Sequence, residues 1–333
     1  MIVSLRMKAR RSPLLRTLLH YITLTALFLC TTGMAATTAY RSTTEQLDLS
    51  GIHLVVVAST ELKEALHNRA LALFKSAGLS LPDSGSSQAP RLATLTLTLN
   101  PQPLTDICPG KVLYAPALAL TEPVTILRTS TVIQDSTWLF ETTRQVREPI
   151  TAEQIEADLD GLINQFITDY KAANPLGRSQ DKPATPDVDD SQSLSLAPDL
   201  DDRPGDRSLQ AISAVSLSVL AERWSSALKS NAVRQLADAG FRLVPDAAEG
   251  GAVSLSLELT QRALGIHCPG KVLYERGLYL VEEVRITRRP RVLLWIDTWL
   301  QESVRIVPPL SLQGLESDQH LLLQEFIGTH HIQ

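Results

Sequence analysis

The heptapeptide Cys-Pro-Gly-Lys-Val-Leu-Tyr stands at Cys108–Tyr114 and again at Cys268–Tyr274. Identity of this length, at a spacing of 160 residues, marks an internal duplication, and so a chain built from two like units. The likeness extends outward on one strand face. Val112, Tyr114, Leu118, Leu120, Glu122, Val124, Ile126 and Arg128 match Val272, Tyr274, Leu278, Leu280, Glu282, Val284, Ile286 and Arg288. The opposite parity has drifted, with Ala117, Ala119, Thr121 and Pro123 facing Gly277, Tyr279, Val281 and Glu283. A period of two in what is kept predicts a strand with one buried face in each copy.

Flanking matches complete the unit. Thr137-Trp138-Leu139 matches Thr298-Trp299-Leu300, and Phe166-Ile167 matches Phe326-Ile327. Each copy opens with a short β-branched run, His53–Ala58 or the alternation Val215, Leu217, Val219. A helix follows, with Leu62, Leu66, Ala70 and Phe74 in the first copy and Trp224, Leu228, Ala232 and Leu236 in the second, four residues apart. Gly78 and Gly240 stand just past its end, where a left-handed cap favours glycine. Alternating strands come next, and the first copy closes with a helix from Thr151 and Gln154, spaced as a capping box. The expected fold is α+β: a tandem duplication of a two-layer β-α-β-β-β-α domain, its antiparallel sheet carrying two helices on one face. That element order is similar to the order in small envelope domains that assist assembly at the bacterial outer membrane, a likeness of topology alone.

Ahead of the repeats, Lys8, Arg10, Arg11 and Arg16 precede an apolar run from Leu18 to Leu29, and Gly33-Met34-Ala35 places small residues three apart. This predicts a signal peptide over 1–35 and export, with the periplasm as destination. An uncleaved N-terminal anchor and a lipoprotein modified at Cys30 are the weaker alternatives, because the run is short for a bilayer and Leu29 stands where a lipid-attachment motif has a small residue. The repeats are placed at 50–175 and 209–333, joined by an acidic Pro/Asp/Ser linker over 176–208 that includes Asp187, Asp189, Asp190, Asp199, Asp201 and Asp202. A net charge of −5 gives no basis for nucleic-acid binding.

The shared turn carries three readings. Pro109-Gly110 and Pro269-Gly270 have the residue order of a type II turn, which puts Cys108 with Lys111, and Cys268 with Lys271, at the two ends of a tight corner. The cysteines are then small apolar plugs, or a disulfide between the copies in an oxidising compartment, or thiols activated by the neighbouring ammonium. His267 stands beside Cys268, but Ile107 stands beside Cys108, so the copies share no Cys-His dyad. His330 and His331 add no short ligand spacing, and no metal and no cofactor are expected. Glu122 and Glu282 fall on an apolar face and are expected as buried polar groups, with Arg128 and Arg288 as neighbours. Trp138 and Trp299 read first as core or rim packing, and Arg285, Arg288, Arg289 and Arg291 first as a solvated hairpin; all six are secondarily candidates for a binding surface.

Phosphate-binding glycine loops, nucleophile elbows, His-Glu-x-x-His pairs and calcium loops do not occur in the sequence. The expected function is an exported, non-enzymatic binding or assembly module of the bacterial cell envelope that presents sheet surfaces to a protein partner, with peripheral membrane contact as a further option. The alternative is a thiol-redox or metal-binding protein centred on the two Cys-Pro-Gly-Lys turns. Partner identity and oligomeric state do not follow from the sequence.

Overall fold

The structure is a computed structural model and describes residues 47, 49, 51–79, 81, 93–174, 212–245 and 252–331. The predicted signal peptide and the acidic linker lie outside the described residues.

In the first half, strand β1 (Ile52–Val57) leads into helix α1 (Thr60–Ser76). Leu66, Ala70 and Phe74 form the buried stripe of α1. Gly78 ends the helix at φ +80°, letting its own N–H donate to the Lys75 carbonyl and the Leu79 N–H donate to the Phe74 carbonyl. These two bonds satisfy carbonyls that the last turn would otherwise leave open, and a residue without Cβ takes this φ without strain. The chain returns as β2 (Ala93–Thr98), then β3 (Gln102–Pro103), β4 (Val112–Tyr114), β5 (Ala117–Ile126), β6 (Val132–Glu141) and β7 (Gln145–Arg147). Helix α2 (Ala152–Ala173) closes the half, its start held by the capping box of Thr151 and Gln154. The second half runs β8 (Ala214–Leu220), a 3-10 turn (Glu222–Trp224), α3 (Ser225–Asp238), β9 (Arg242–Leu243), β10 (Val253–Ala263), β11 (Val272–Ile286), β12 (Arg289–Val307) and α4 (Leu312–His331).

The protein is α+β, with a mixed nine-stranded sheet, a small three-stranded sheet and four α-helices among the described residues. The expectation of an antiparallel sheet is corrected here. β1 runs parallel to β2, and β8 runs parallel to β10. Each of these pairs is bridged by a helix, and a helical crossover returns the chain to the end it left, so the strands it joins must run the same way. The remaining long pairs, β2–β5, β5–β6, β10–β11 and β11–β12, are antiparallel.

Within each half the core joins the two helices to strand residues of one parity. In the first half Leu54, Leu95, Leu97, Leu118 and Leu120 meet Leu66, Phe74, Leu159 and Phe166. In the second, Leu255, Leu257, Leu278 and Leu280 meet Leu228, Leu236, Leu323 and Phe326. The other sheet face carries half-buried Thr94, Thr96, Ala119 and Thr121 in the first half and Ser254, Ser256, Tyr279 and Val281 in the second. That face is the drifted parity.

One difference between the halves has a local cause. β11 runs unbroken from Val272 to Ile286, whereas the equivalent run is split into β4 and β5 at Ala115-Pro116. Proline has no N–H for the ladder, so the strand is interrupted there. Thr142 instead donates its N–H to the Pro116 carbonyl, and β3, β4 and β7 separate as the small sheet.

Candidate functional site

The two halves meet where β5 and β11 outrun their own neighbours. Their ends pair antiparallel, with Thr125 opposite Arg285, flanked by Val124 opposite Ile286 and Ile126 opposite Val284. Residues 160 apart thus exchange places about a local twofold axis. A separate apolar cluster of Val124, Ile126, Ile133, Val284, Ile286, Val292, Leu294 and Ile296 fills the junction.

Beside that cluster lie Glu122 and Glu282, 0% and 3% exposed. Each carboxylate takes its cation from the other half. Glu282 Oε1 accepts from Arg128 Nε at 2.7 Å. Glu122 Oε1 accepts from Arg288 Nε at 2.9 Å, and its Oε2 accepts from Arg289 Nη2 at 2.7 Å. The second oxygens also accept hydroxyls, Thr137 Oγ1 to Glu122 and Thr298 Oγ1 to Glu282, the latter at 2.5 Å. Those threonines are delivered by β-bulges. The register slips between Leu120 and Thr121 on one hairpin and between Leu280 and Val281 on the other, leaving Thr137 and Thr298 as the extra residues. A carboxylate in so dry a place costs several kcal/mol unless paired and hydrogen-bonded, and here both conditions are met. Sequence reasoning located Glu122, Glu282, Arg128 and Arg288 but not the exchange, and it read Arg288 and Arg289 as a solvated hairpin or, second, a contact surface. Both are instead mostly buried against Glu122; Arg285 and Arg291 are exposed.

The opposite end of the interface is the shared turn. Gly110 and Gly270 have φ of +76° and +72°, and the Lys111 and Lys271 N–H groups donate to the Cys108 and Cys268 carbonyls, as a type II turn requires. Cys108 and Cys268 are bonded to each other with Cα atoms 5.7 Å apart, and each is 4% exposed. Leu264, Leu273, Val146 and Ile306 pack around the bond. With the sulfurs bonded and covered, neither is available as a nucleophile or a ligand.

Every residue of the heptapeptide therefore has a physical task. Cysteine links the halves, Pro-Gly turns the chain, and lysine rims the corner, where Lys111 pairs with Glu148. The valines are buried, and Leu113 and Leu273 pack toward the disulfide. Tyr114 and Tyr274 point toward the closing helices. Burial first, and then the carboxylates of Asp158 and Asp318, push their phenols well above the usual tyrosine range. Arg147 and Arg305 lie over the respective rings.

Trp138 and Trp299, read first as core or rim packing and second as a binding surface, are in the core. Trp138 donates Nε1–H to Asp169 Oδ2 at 3.1 Å and meets Phe166 edge-on, with ring centres 4.8 Å apart. Trp299 packs likewise on Phe326. An indole this large contributes most where both its area and its N–H are used, and the helix–sheet interface offers that. His330 is packed on Phe241 and lies 2.9 Å from the Ile212 carbonyl. Among the described residues no three His, Cys, Asp or Glu side chains are placed to hold a metal ion.

Two polar features escaped the sequence. Arg144, between β6 and β7, pairs with Glu302 and lies 3.4 Å from Glu141 and 3.8 Å from Glu275, so a first-half cation is set among second-half acids. Burial raises the Glu141 carboxyl, with Arg144 opposing. Asp135 lies directly across the strand pair from Glu122, at the place Ile296 takes opposite Glu282. Burial pushes its carboxyl up to about 7, partly offset by the Ser136 N–H and reinforced by Asp297. Burial likewise raises Asp297 to about 6. A signal for Asp135 was present in the sequence, since it breaks an apolar position of the other copy.

Three outcomes test this geometry. Cys108→Ser with Cys268→Ser is expected to lower unfolding free energy by about 3–5 kcal/mol in urea titrations, since the bond closes a loop of 160 residues. Arg128→Ala, which strands a buried carboxylate, costs about 3–5 kcal/mol in the same titration, and Arg128→Met with Glu282→Met costs less than Arg128→Ala alone. Asp135 titrates higher folded than unfolded, so its contribution is neutral below the unfolded value of about 4 and destabilising as pH rises through about 7. Asp135→Asn is therefore expected to stabilise the protein by about 2 kcal/mol at pH 8 and by little at pH 4, the full shift being discounted because the carboxyl is partly solvated. A gain that is equal at both pH values contradicts it.

No family model and no curated protein matches the chain. Among solved structures, it is similar to the PelC dodecamer from Paraburkholderia phytofirmans at 16% identity, covering 35% of this chain and 88% of that one, with a TM-score of 0.22. A minor lipoprotein from Acinetobacter baumannii is 11% identical over 36% of this chain and 93% of its own, with a TM-score of 0.21. The rare lipoprotein B from Shewanella oneidensis is 18% identical over 35% and 88%, with a TM-score of 0.16. These are distant likenesses to lipoproteins and similar chains, and at such TM-scores they carry nothing about function.

Proposed function

We propose that this protein is an exported, non-enzymatic assembly module of the cell envelope, built from two duplicated α+β units and presenting the sheet face away from its helices to a protein partner. One observation carries the reading. Of the polar residues that both halves keep, Cys108 with Cys268, Glu122 with Glu282 and Arg128 with Arg288 join the halves, Thr137 and Thr298 complete the glutamates, and Lys111 and Lys271 stand at the rim of the turns. A reaction centre kept in both copies would need several shared polar groups converging on substrate; the cysteines, glutamates and threonines are buried, and the lysines have no shared acid or base beside them.

The duplication is supported by pairs 160 residues apart that exchange contacts about one axis, in the disulfide and in the β5–β11 pairing alike. Export is supported by the disulfide, a bond that persists in oxidising compartments, and by the N-terminal pattern of Lys8 to Ala35. The partner face follows from where the halves differ. In the first half it is smooth with Thr and Ala, and in the second it carries exposed Leu293, Trp295 and Leu300 beside half-buried Tyr279. Contact residues diverge between copies when each copy meets a different surface, whereas core residues cannot.

A photo-activated crosslinking residue in place of Leu300, with a second in place of Thr96, tests the assignment in intact cells. Discrete protein adducts at these positions, and none from a probe on the exposed helix residue Leu321, are the expected result. Absence of adducts together with turnover of a small substrate by the purified protein overturns it.

A further inference from the structure

We propose that the disulfide-linked pair of turns is a membrane-contact tip, and that its occupant is a phospholipid surface bearing anionic headgroups. Ile266 is 89% exposed, more than any other large apolar side chain among the described residues, and Ile107 is 45% exposed. Both stand directly before or near a bonded cysteine, Ile107 preceding Cys108 and Ile266 two residues ahead of Cys268. Cys268 Sγ lies 3.8 Å from the Ile107 carbonyl oxygen, so the two loops touch and both isoleucines belong to one end of the molecule.

The tip is held rigid from behind. The disulfide ties the loops to each other. Each loop is closed by a backbone bond, Leu104 N–H to the Lys111 carbonyl and Leu264 N–H to the Lys271 carbonyl. Neither isoleucine gains cover by collapsing onto the core, because Cys108, Cys268, Leu264 and Leu273 already fill the space beneath. Exposed aliphatic side chains held out in this way are costly in water and stable in an acyl-chain boundary.

Composition and charge favour lipid over protein. Protein hot spots are aromatic or arginine anchors in pockets, while the exposed large side chains of this two-turn tip are aliphatic. Pro109, Gly110, Pro269 and Gly270 on it are exposed and uncharged. Lys111 and Lys271 rim it together with exposed His267; Asp106 and Glu148 are the nearby acids, and Glu148 is taken up by Lys111. Lys271, whose N–H closes the Cys268 turn, has no side-chain partner among the described residues, which leaves an ammonium in the same turn as the exposed isoleucine. A lysine so placed meets anionic headgroups as the aliphatic tip enters. The inference rests on export, not on the protein partner proposed above, so either can fail without the other.

Flotation of the protein purified from its native compartment tests it, using vesicles of phosphatidylcholine alone and of phosphatidylcholine with phosphatidylglycerol. Binding to the phosphatidylglycerol vesicles that falls with added salt is expected. Ile107→Ser with Ile266→Ser is expected to lower partitioning by about tenfold or more, with no free thiol appearing and an unchanged circular dichroism spectrum. Lys271→Glu removes part of the salt-sensitive component and leaves the rest. Wild-type protein that stays unbound, or a double-serine variant that floats as wild-type does, overturns the proposal. So does a photo-crosslinker at Ile266 that captures a protein while the vesicles stay bare.

Discussion

Two buried carboxylates, each neutralised from the far half, are the constraint on which the rest of the structure depends. Glu122 and Glu282 sit on strand faces that otherwise carry leucine, valine and isoleucine, and each accepts a guanidinium from the other half. A half folded alone would leave its glutamate unpaired in apolar surroundings, at a cost of several kcal/mol. The halves are thus bound by electrostatic need as well as by the three-residue strand pairing between β5 and β11. The threonines delivered by the bulges complete the acceptors, which explains why the Thr-Trp-Leu segment is kept in both copies: its first residue serves the ion pair and its second the core.

The disulfide works at a distance from this junction and on a different term. The ion pairs lower the energy of the joined state, whereas the bond between Cys108 and Cys268 limits how far the halves can separate when unfolded. Between the two fasteners the interface is asymmetric. Arg144 reaches from the first half to Glu275 and Glu302, while Arg262 of the second half donates to the Arg144 carbonyl, and Asp135 replaces the isoleucine of the second half at the cost of a carboxyl that holds its proton near neutrality. Such departures mark where the two halves differ under a local constraint. Pro116 is another, since it divides one long strand into two and releases the small sheet.

Much of the local structure was legible in the residues. The helices followed from leucine, alanine and phenylalanine at four-residue spacing, their ends from Gly78, Gly240 and Thr151, and the turns from Pro-Gly, because each depends on neighbours within one or two turns of chain. The parallel pairing was not legible: a helical crossover makes the strands it joins run the same way, but whether those two strands lie side by side is fixed only by the sheet order. Nor was the fate of Arg288 and Arg289: a charged side chain on a strand is core or surface according to what lies above it, which the strand's own pattern does not encode.

The sequence by itself determined the twofold recurrence of the shared turn, the face of each strand that faces the core, the helix caps, and the glutamates whose burial demanded a partner. Only the tertiary structure decided that Arg128 serves Glu282 while Arg288 serves Glu122, that Cys108 meets Cys268, and that one mixed sheet runs through both halves. The physical reason is range. Capping, turn geometry and hydrophobic period act between residues close in sequence, but an ion pair or a disulfide formed across some 160 residues depends on how two strand ends cross, and that crossing is fixed by the packing of both halves at once.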